Sequence, residues 1–262
     1  MVARLKKRGG LRLVSLAPSV TSILLELGAG RDLVGVSRWC KDVADVGSRP
    51  AVGDCWKMDM REVTRLRPSL LIGSVPFAAE TVQKILAEPV AFMALNPRTV
   101  ADIFGDIRIL GRLVESGLAA DRLIRKMRDG FADVSRKARR RRGSGARVRV
   151  YCEAWPKPRI SSPPWVAELV EMAGGQMVVE AGERVTDEEV ARAAPELIVL
   201  AWAATGGRAK VSATLRNPSW QDVPAVRNGR VVVVRDELLN TPGPPLVSGA
   251  RELARLIRES AC

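Results

Sequence analysis

The chain has 262 residues, 47% of them hydrophobic, with 42 Lys and Arg against 29 Asp and Glu, for a net charge of +13. That apolar share is ample for a packed core in one large or two modest domains. Histidine is absent, which removes Ser-His-Asp and Cys-His catalysis, histidine zinc sites and proximal-His haem ligation.

Five of the first twelve residues are basic. This start reads as a basic arm entering a first strand: Arg12 abuts the apolar run and no small-x-small cleavage site precedes Glu26. The compartment expected from it is the cytoplasm, or the periplasm if the natural start lies further upstream. No uncharged stretch reaches the roughly 20 apolar residues of a membrane span.

Short β-rich runs at 11–17, 33–37, 70–74 and 90–95 alternate with helical patterns at 20–27, 60–67 and 79–87, the signature of a parallel α/β lobe. Residues 101–142 are nearly uninterrupted helix former. Gly117 is expected to separate two helices there, the second running from about residue 119 to 142 and roughly 36 Å long, a semi-rigid connector. A second lobe follows, with strands at 147–153, 197–202 and 231–235 and helices at 165–172, 186–193 and 246–259. The expected domains are an amino-terminal lobe over 1–117, a connector helix over 118–145 and a carboxy-terminal lobe over 146–262. Residues also repeat between the lobes. The stretch LLELGAG at 24–30 is echoed by LVEMAGG at 169–175, and EVTRLRPSLLI at 62–72 by EVARAAPELIV at 189–199. The predicted fold is two Rossmann-like α/β lobes joined by a long backbone helix, with a ligand cleft between them.

The charge is concentrated. Residues 122–149 hold 12 basic and 2 acidic side chains, and with the five of the arm set aside the remainder of the chain sums to −2. The basic helix has no interleaved aromatics and no recognition-helix pattern, so a nucleic-acid partner is the least favoured reading. A solvated helix end whose cations complement the dipole accounts for it more simply.

Ligands of open α/β sheets bind at the carboxyl ends of the strands. Five of the six tryptophans fall in segments that follow predicted strands. The candidate ligand contacts are Arg38, Trp39, Asp54, Trp56 and Phe77 in the first lobe, and Tyr151, Glu153, Trp155, Trp165 and Trp202 in the second. Together they suggest an aromatic-lined cleft for a large flat ligand, with Arg38, Asp54 and Glu153 as polar anchors. Cys40, Cys55 and Cys152 lie in the same segments and read either as soft-metal ligands or as small apolar fillers. Cys262 reads as incidental. No phosphate-binding glycine loop or dinucleotide fingerprint is present, so no nucleotide cofactor and no catalysis are expected.

The segment LVSLAPSVT at 13–21, followed by Leu27-Gly28-Ala29-Gly30, by LVGVS at 33–37 and by RPSLLIG at 67–73, resembles the helical-backbone (class III) substrate-binding proteins. Within them it is most similar to the cobalamin-binding proteins of vitamin B12 ABC importers. The resemblance spans nearly the whole chain. It implies a non-catalytic protein holding a corrinoid mostly by aromatic and apolar contacts, through Trp39 and Cys55-Trp56 in one lobe and residues 153–155 with Trp202 in the other. Siderophore and haem receptors share the implied fold, and a metal or metal-chelate ligand using Cys40, Cys55 and Cys152 is the alternative; haem ligation would fall to Tyr151 or a thiolate. Family members dock on an ABC permease through an acidic residue on each lobe. Glu80 fits that role in the first lobe, whereas residues 203–216 offer no acidic counterpart, which points to intracellular corrinoid handling as readily as to uptake.

Overall fold

The computed structural model describes residues 10–142, 145–205 and 207–260. Most of the basic arm, and Cys262, lie outside these residues. The chain forms two compact units. The first runs to Asn96 and includes Asp106–Asp121, while the second holds Pro97–Gly105 and the chain from Arg122 onward.

The first unit contains β1 (Leu13–Ser15), α1 (Pro18–Glu26), β2 (Leu33–Ser37), β3 (Ala51–Val52), α2 (Met60–Arg65), β4 (Leu70–Ser74), α3 (Ala79–Leu86) and β5 (Ala91–Leu95). Its strands form one parallel sheet in the order β3-β2-β1-β4-β5. Strands covered on both faces need continuous apolar runs, and Leu13, Val14, Leu71 and Ile72 have no exposed surface. Each such side chain contributes about 1.5–3 kcal/mol by leaving water.

Next come α4 (Val100–Leu113) and α5 (Gly117–Arg142). The break between them is tighter than the glycine suggests: Glu115, at φ 54°, takes the left-handed conformation and Gly117 opens α5. Both helices pass from one unit into the other. With 26 residues, α5 is about 39 Å long.

The second unit adds β6 (Val148–Pro156), β7 (Arg159–Ser161), α6 (Pro164–Met172), β8 (Gly175–Met177), α7 (Asp187–Ala193), β9 (Leu197–Leu200), α8 (Val211–Leu215), α9 (Pro224–Arg227), β10 (Val231–Val233), α10 (Glu237–Asn240) and α11 (Leu246–Ser260). The sheet order is β10-β9-β6-β7, and the first half of β6 pairs with β8. All pairs are parallel except the β6–β7 hairpin.

The echoed residues occupy equivalent places. Helices α1 and α6 both begin on a proline, whose fixed φ suits the first turn, and both end before a glycine, Gly28 at φ 76° and Gly174 at φ 92°. Helices α2 and α7 are followed by Arg67 at φ 46° and Ala194 at φ 48°, each directly before a proline. Arg12 donates from Nε to Arg67 O at 3.1 Å, and Arg149 donates from Nε to Ala194 O at 2.9 Å. The register agrees: Leu13 pairs with Leu70 as Val150 pairs with Leu197. Two of the arginines in the basic segments are therefore backbone caps in a duplicated βαβ design.

Candidate functional site

In the first unit, the segment after β2 carries Arg38, Trp39 and Cys40, and the segment after β3 carries Asp54, Cys55 and Trp56. Asp54 organises both. Its Oδ1 accepts the backbone N–H of Trp56 and of Lys57, each at 2.9 Å, closing a tight loop over a carboxylate that is 6% exposed. Its Oδ2 accepts Trp39 Nε1–H at 2.9 Å and lies 3.5 Å from Arg38 Nε. The Arg38 guanidinium also sits 5.6 Å from the Trp39 ring centre. This wrapped loop requires glycine at 53, because a Cβ there would stand 2.2 Å from the Lys57 carbonyl oxygen. The indole of Trp39 is thus fixed in orientation, while Trp56, 63% exposed, projects from the loop. Phe77, after β4, packs into the core beneath, edge-on to Phe92 at 5.5 Å.

The second unit repeats the device with a glutamate. Glu153, on β6, is fully buried. Its Oε1 accepts Trp202 Nε1–H at 2.7 Å, and its Oε2 accepts Tyr151 O–H at 2.8 Å and an N–H of Arg159. Arg159, on β7, also donates to Asp187 at 2.9 Å and lies 4.3 Å from the Trp220 ring centre. Trp220 in turn meets Tyr151 edge-on at 6.1 Å. A carboxylate this deep is tolerated because a guanidinium and two neutral donors satisfy it. The outcome is again an oriented indole at the carboxyl edge of the sheet. Ala203 N–H donates to Ala154 O at 3.0 Å, joining the segment of Trp202 to that of Trp155, which is 42% exposed.

The structure brings Arg38, Trp39, Asp54 and Trp56 together in the first unit, and Tyr151, Glu153, Trp155 and Trp202 in the second. Three of the ten candidate contacts, Phe77, Tyr151 and Trp165, also pack into the core. Tyr151 is fully buried, and burial, reinforced by the Glu153 carboxylate, drives its phenol far above the ordinary range. Trp165, 5% exposed, spends its N–H on Leu239 O at 2.8 Å and ties α6 to α10. Arg159, Asp187 and Trp220 escaped sequence reasoning. The available signal was the pairing demand of an acid in an apolar strand, met by the arginine six residues on.

Cys40, Cys55 and Cys152 are all free and buried. Cys40 accepts Thr21 O–H at 3.0 Å within a cluster of buried hydroxyls, and Cys55 faces the Leu16 and Ser74 carbonyls at 3.5 and 3.6 Å. Cys152 is fully buried. Burial pushes the Cys40 thiol up, and takes Cys55 and Cys152 to about 12. Among the described residues no group of three or more His, Cys, Asp or Glu side chains is placed to hold a metal ion. At pH 8 the native protein is expected to leave these three thiols unreacted with a thiol-exchange reagent over minutes, and to expose all three on unfolding. Rapid native reaction in a Cys262→Ser variant would contradict their burial.

Glu80, the candidate docking acid, is on the first turn of α3 and pairs with Lys84 at 2.6 Å. The hydrogen bond from Lys84 holds its carboxyl below the usual carboxylate range.

Comparison with known proteins gives these features a setting. The sequence pattern of the family described as "Periplasmic binding protein" matches residues 13–238. An uncharacterized ABC transporter substrate-binding lipoprotein of Bacillus subtilis, YvrC, is 25% identical over 256 residues, covering 94% of this chain and 79% of the relative. A Vitamin B12-binding protein of Vibrio parahaemolyticus is 22% identical over 250 residues, covering 92% and 87%. Among solved structures, the periplasmic heme-binding protein RhuT of Roseiflexus sp. RS-1 superimposes with a TM-score of 0.79 at 22% identity, covering 97% of this chain and 100% of that one. These findings overturn the cytoplasmic compartment expected from the sequence, since the family and its solved relatives are periplasmic binding proteins. The basic start was a poor guide to location because charge near an apolar run reports local composition and leaves the route of the chain open. Two α/β lobes linked through long helices, with the family pattern running across both, identify the chain as a member of the periplasmic binding protein family, a non-catalytic solute-binding protein.

Proposed function

We propose that this protein is the solute receptor of an ABC importer and that its solute is a flat metal chelate of the tetrapyrrole class, a haem or a corrinoid. The observation that carries this reading is the pair of carboxylate-anchored tryptophans, Trp39 on Asp54 and Trp202 on Glu153. Each is joined to a segment bearing a second, exposed tryptophan, Trp56 or Trp155. Oriented indoles offer broad apolar faces at little entropic cost, which suits a macrocycle of similar width. The names of the relatives support the same class, one binding vitamin B12 and another haem.

A specific feature favours a chelate whose metal arrives with its axial positions filled, as in a cobalamin. The chain has no histidine and one tyrosine, the hydroxyl of that tyrosine is committed to Glu153, and the three described cysteines are buried. In calorimetric titrations with haemin, cyanocobalamin and a ferric hydroxamate siderophore, at least one tetrapyrrole is expected to bind with a Kd at or below about 10 µM, near −7 kcal/mol. Binding of the siderophore alone, or of none of the three, would sink the proposal.

A further inference from the structure

The duplicated caps account for Arg12 and Arg149, and ion pairs account for Arg136 and Lys137, which both engage Asp133. Another set of cations is left over. Arg125, Arg139, Arg140, Arg141, Arg147 and Arg251 are exposed and have no carboxylate partner among the described residues. Most lie on the last half of α5 or just beyond it, and Arg251 comes from α11.

Arg125, Arg141 and Arg251 border grooves between α5 and α11, and Arg139 and Arg147 border one between α5 and α6 whose lining also holds Glu168 and Glu171. One groove, of about 580 Å³, has Val134, Ala138, Val148 and Ile257 in its lining and Arg141 and Arg251 at its rim. Another face of α5 packs into the core through Leu123, Ile124, Met127 and Phe131. The cations are thus held outward, and although Asp129, Asp133, Glu168 and Glu171 share the groove linings, residues 122–149 carry 12 basic against 2 acidic side chains. An excess of like charge of this density favours association with a polyanion.

We propose that this arginine-rich end of α5, with Arg251 of α11 beside it, rests on a membrane surface rich in anionic phospholipid. Headgroup phosphates meet the unpaired guanidiniums, and the apolar groove floor accepts the less polar glycerol region beneath them. Nucleic acid is the weaker candidate, because no aromatic residue lines the groove to stack on bases and the family works outside the cytoplasm. A membrane is also where a receptor that serves a permease gains from being held, since confinement to the surface raises its local concentration. The inference stands apart from the identity of the solute.

The test is flotation of the full chain with vesicles of phosphatidylcholine, with or without about 30 mol % phosphatidylglycerol, at about 50 and 500 mM NaCl. Binding is expected only to the anionic vesicles and only at low salt. Reversing Arg139, Arg140 and Arg141 to glutamate should lower the partition coefficient about a hundredfold. Two further variants separate this face from total charge. The pair Arg147→Glu and Arg251→Glu should weaken binding, whereas Arg65→Glu, on exposed α2, should leave it within about twofold. The proposal is overturned by equal binding to neutral vesicles, by no binding to anionic ones, by an Arg65→Glu effect as large as that of the triple variant, or by tighter binding to duplex DNA than to the vesicles.

Discussion

Replacing Glu153 with alanine is expected to lower the unfolding free energy by about 3–5 kcal/mol, the usual cost of stripping one partner from a buried charge pair. The carboxylate is fully buried and takes three donors, from Trp202, Tyr151 and Arg159. Without it, the Arg159 guanidinium keeps Asp187 but loses its buried counter-charge, and the Tyr151 hydroxyl is left enclosed without an acceptor. Glu153→Gln retains an oxygen for Trp202 and is expected to cost less. The partners act as a unit, so combining Glu153→Ala with Arg159→Ala should cost less than the sum of the two single changes by about 0.5–3 kcal/mol. Urea unfolding followed by circular dichroism measures this. A loss below about 1 kcal/mol for Glu153→Ala would mean that the network is solvated and does not fix the indole.

The second large effect is on binding. Trp39→Ala and Trp202→Ala are each expected to weaken the chelate at least about thirtyfold, the range of a tryptophan hot spot. Both indoles are partly exposed. Trp165→Phe keeps an aromatic ring but removes part of the buried indole and the N–H that serves Leu239, and should leave affinity within about threefold while costing about 1–3 kcal/mol of stability. Calorimetry on the three variants separates the roles. If Trp165→Phe reduced affinity as much as Trp39→Ala, the carboxyl-edge tryptophans would not be the contact set.

Much of this organisation was legible in the residues. The strands at 33–37 and 70–74 fall where the apolar runs put them, because a parallel strand covered on both faces cannot afford a polar interruption. The repeated helix ends were visible too, since a left-handed residue before a proline and a glycine after a helix leave marks in sequence. What escaped was short or nonlocal. Strand β7 is three residues after a proline turn, and β3 is two, so neither builds a pattern long enough to read. Strand periodicity places Tyr151 and Glu153 on one face but is silent on how deep that face lies. Trp165 and Trp202 look alike as tryptophans near strand ends. Only the fold sends one N–H to α10 and the other to a buried carboxylate.

On the function proposed above, a tetrapyrrole chelate is held by oriented aromatic side chains with no bond from the protein to the metal. Visible absorption during titration with aquacobalamin and with haemin tests it most directly. Saturable binding of at least one of them is expected, weakened in Trp39→Ala and Trp202→Ala, with no new protein-to-metal ligation band. A thiolate- or phenolate-type spectrum that disappears in a Cys→Ser or Tyr151→Phe variant would contradict it.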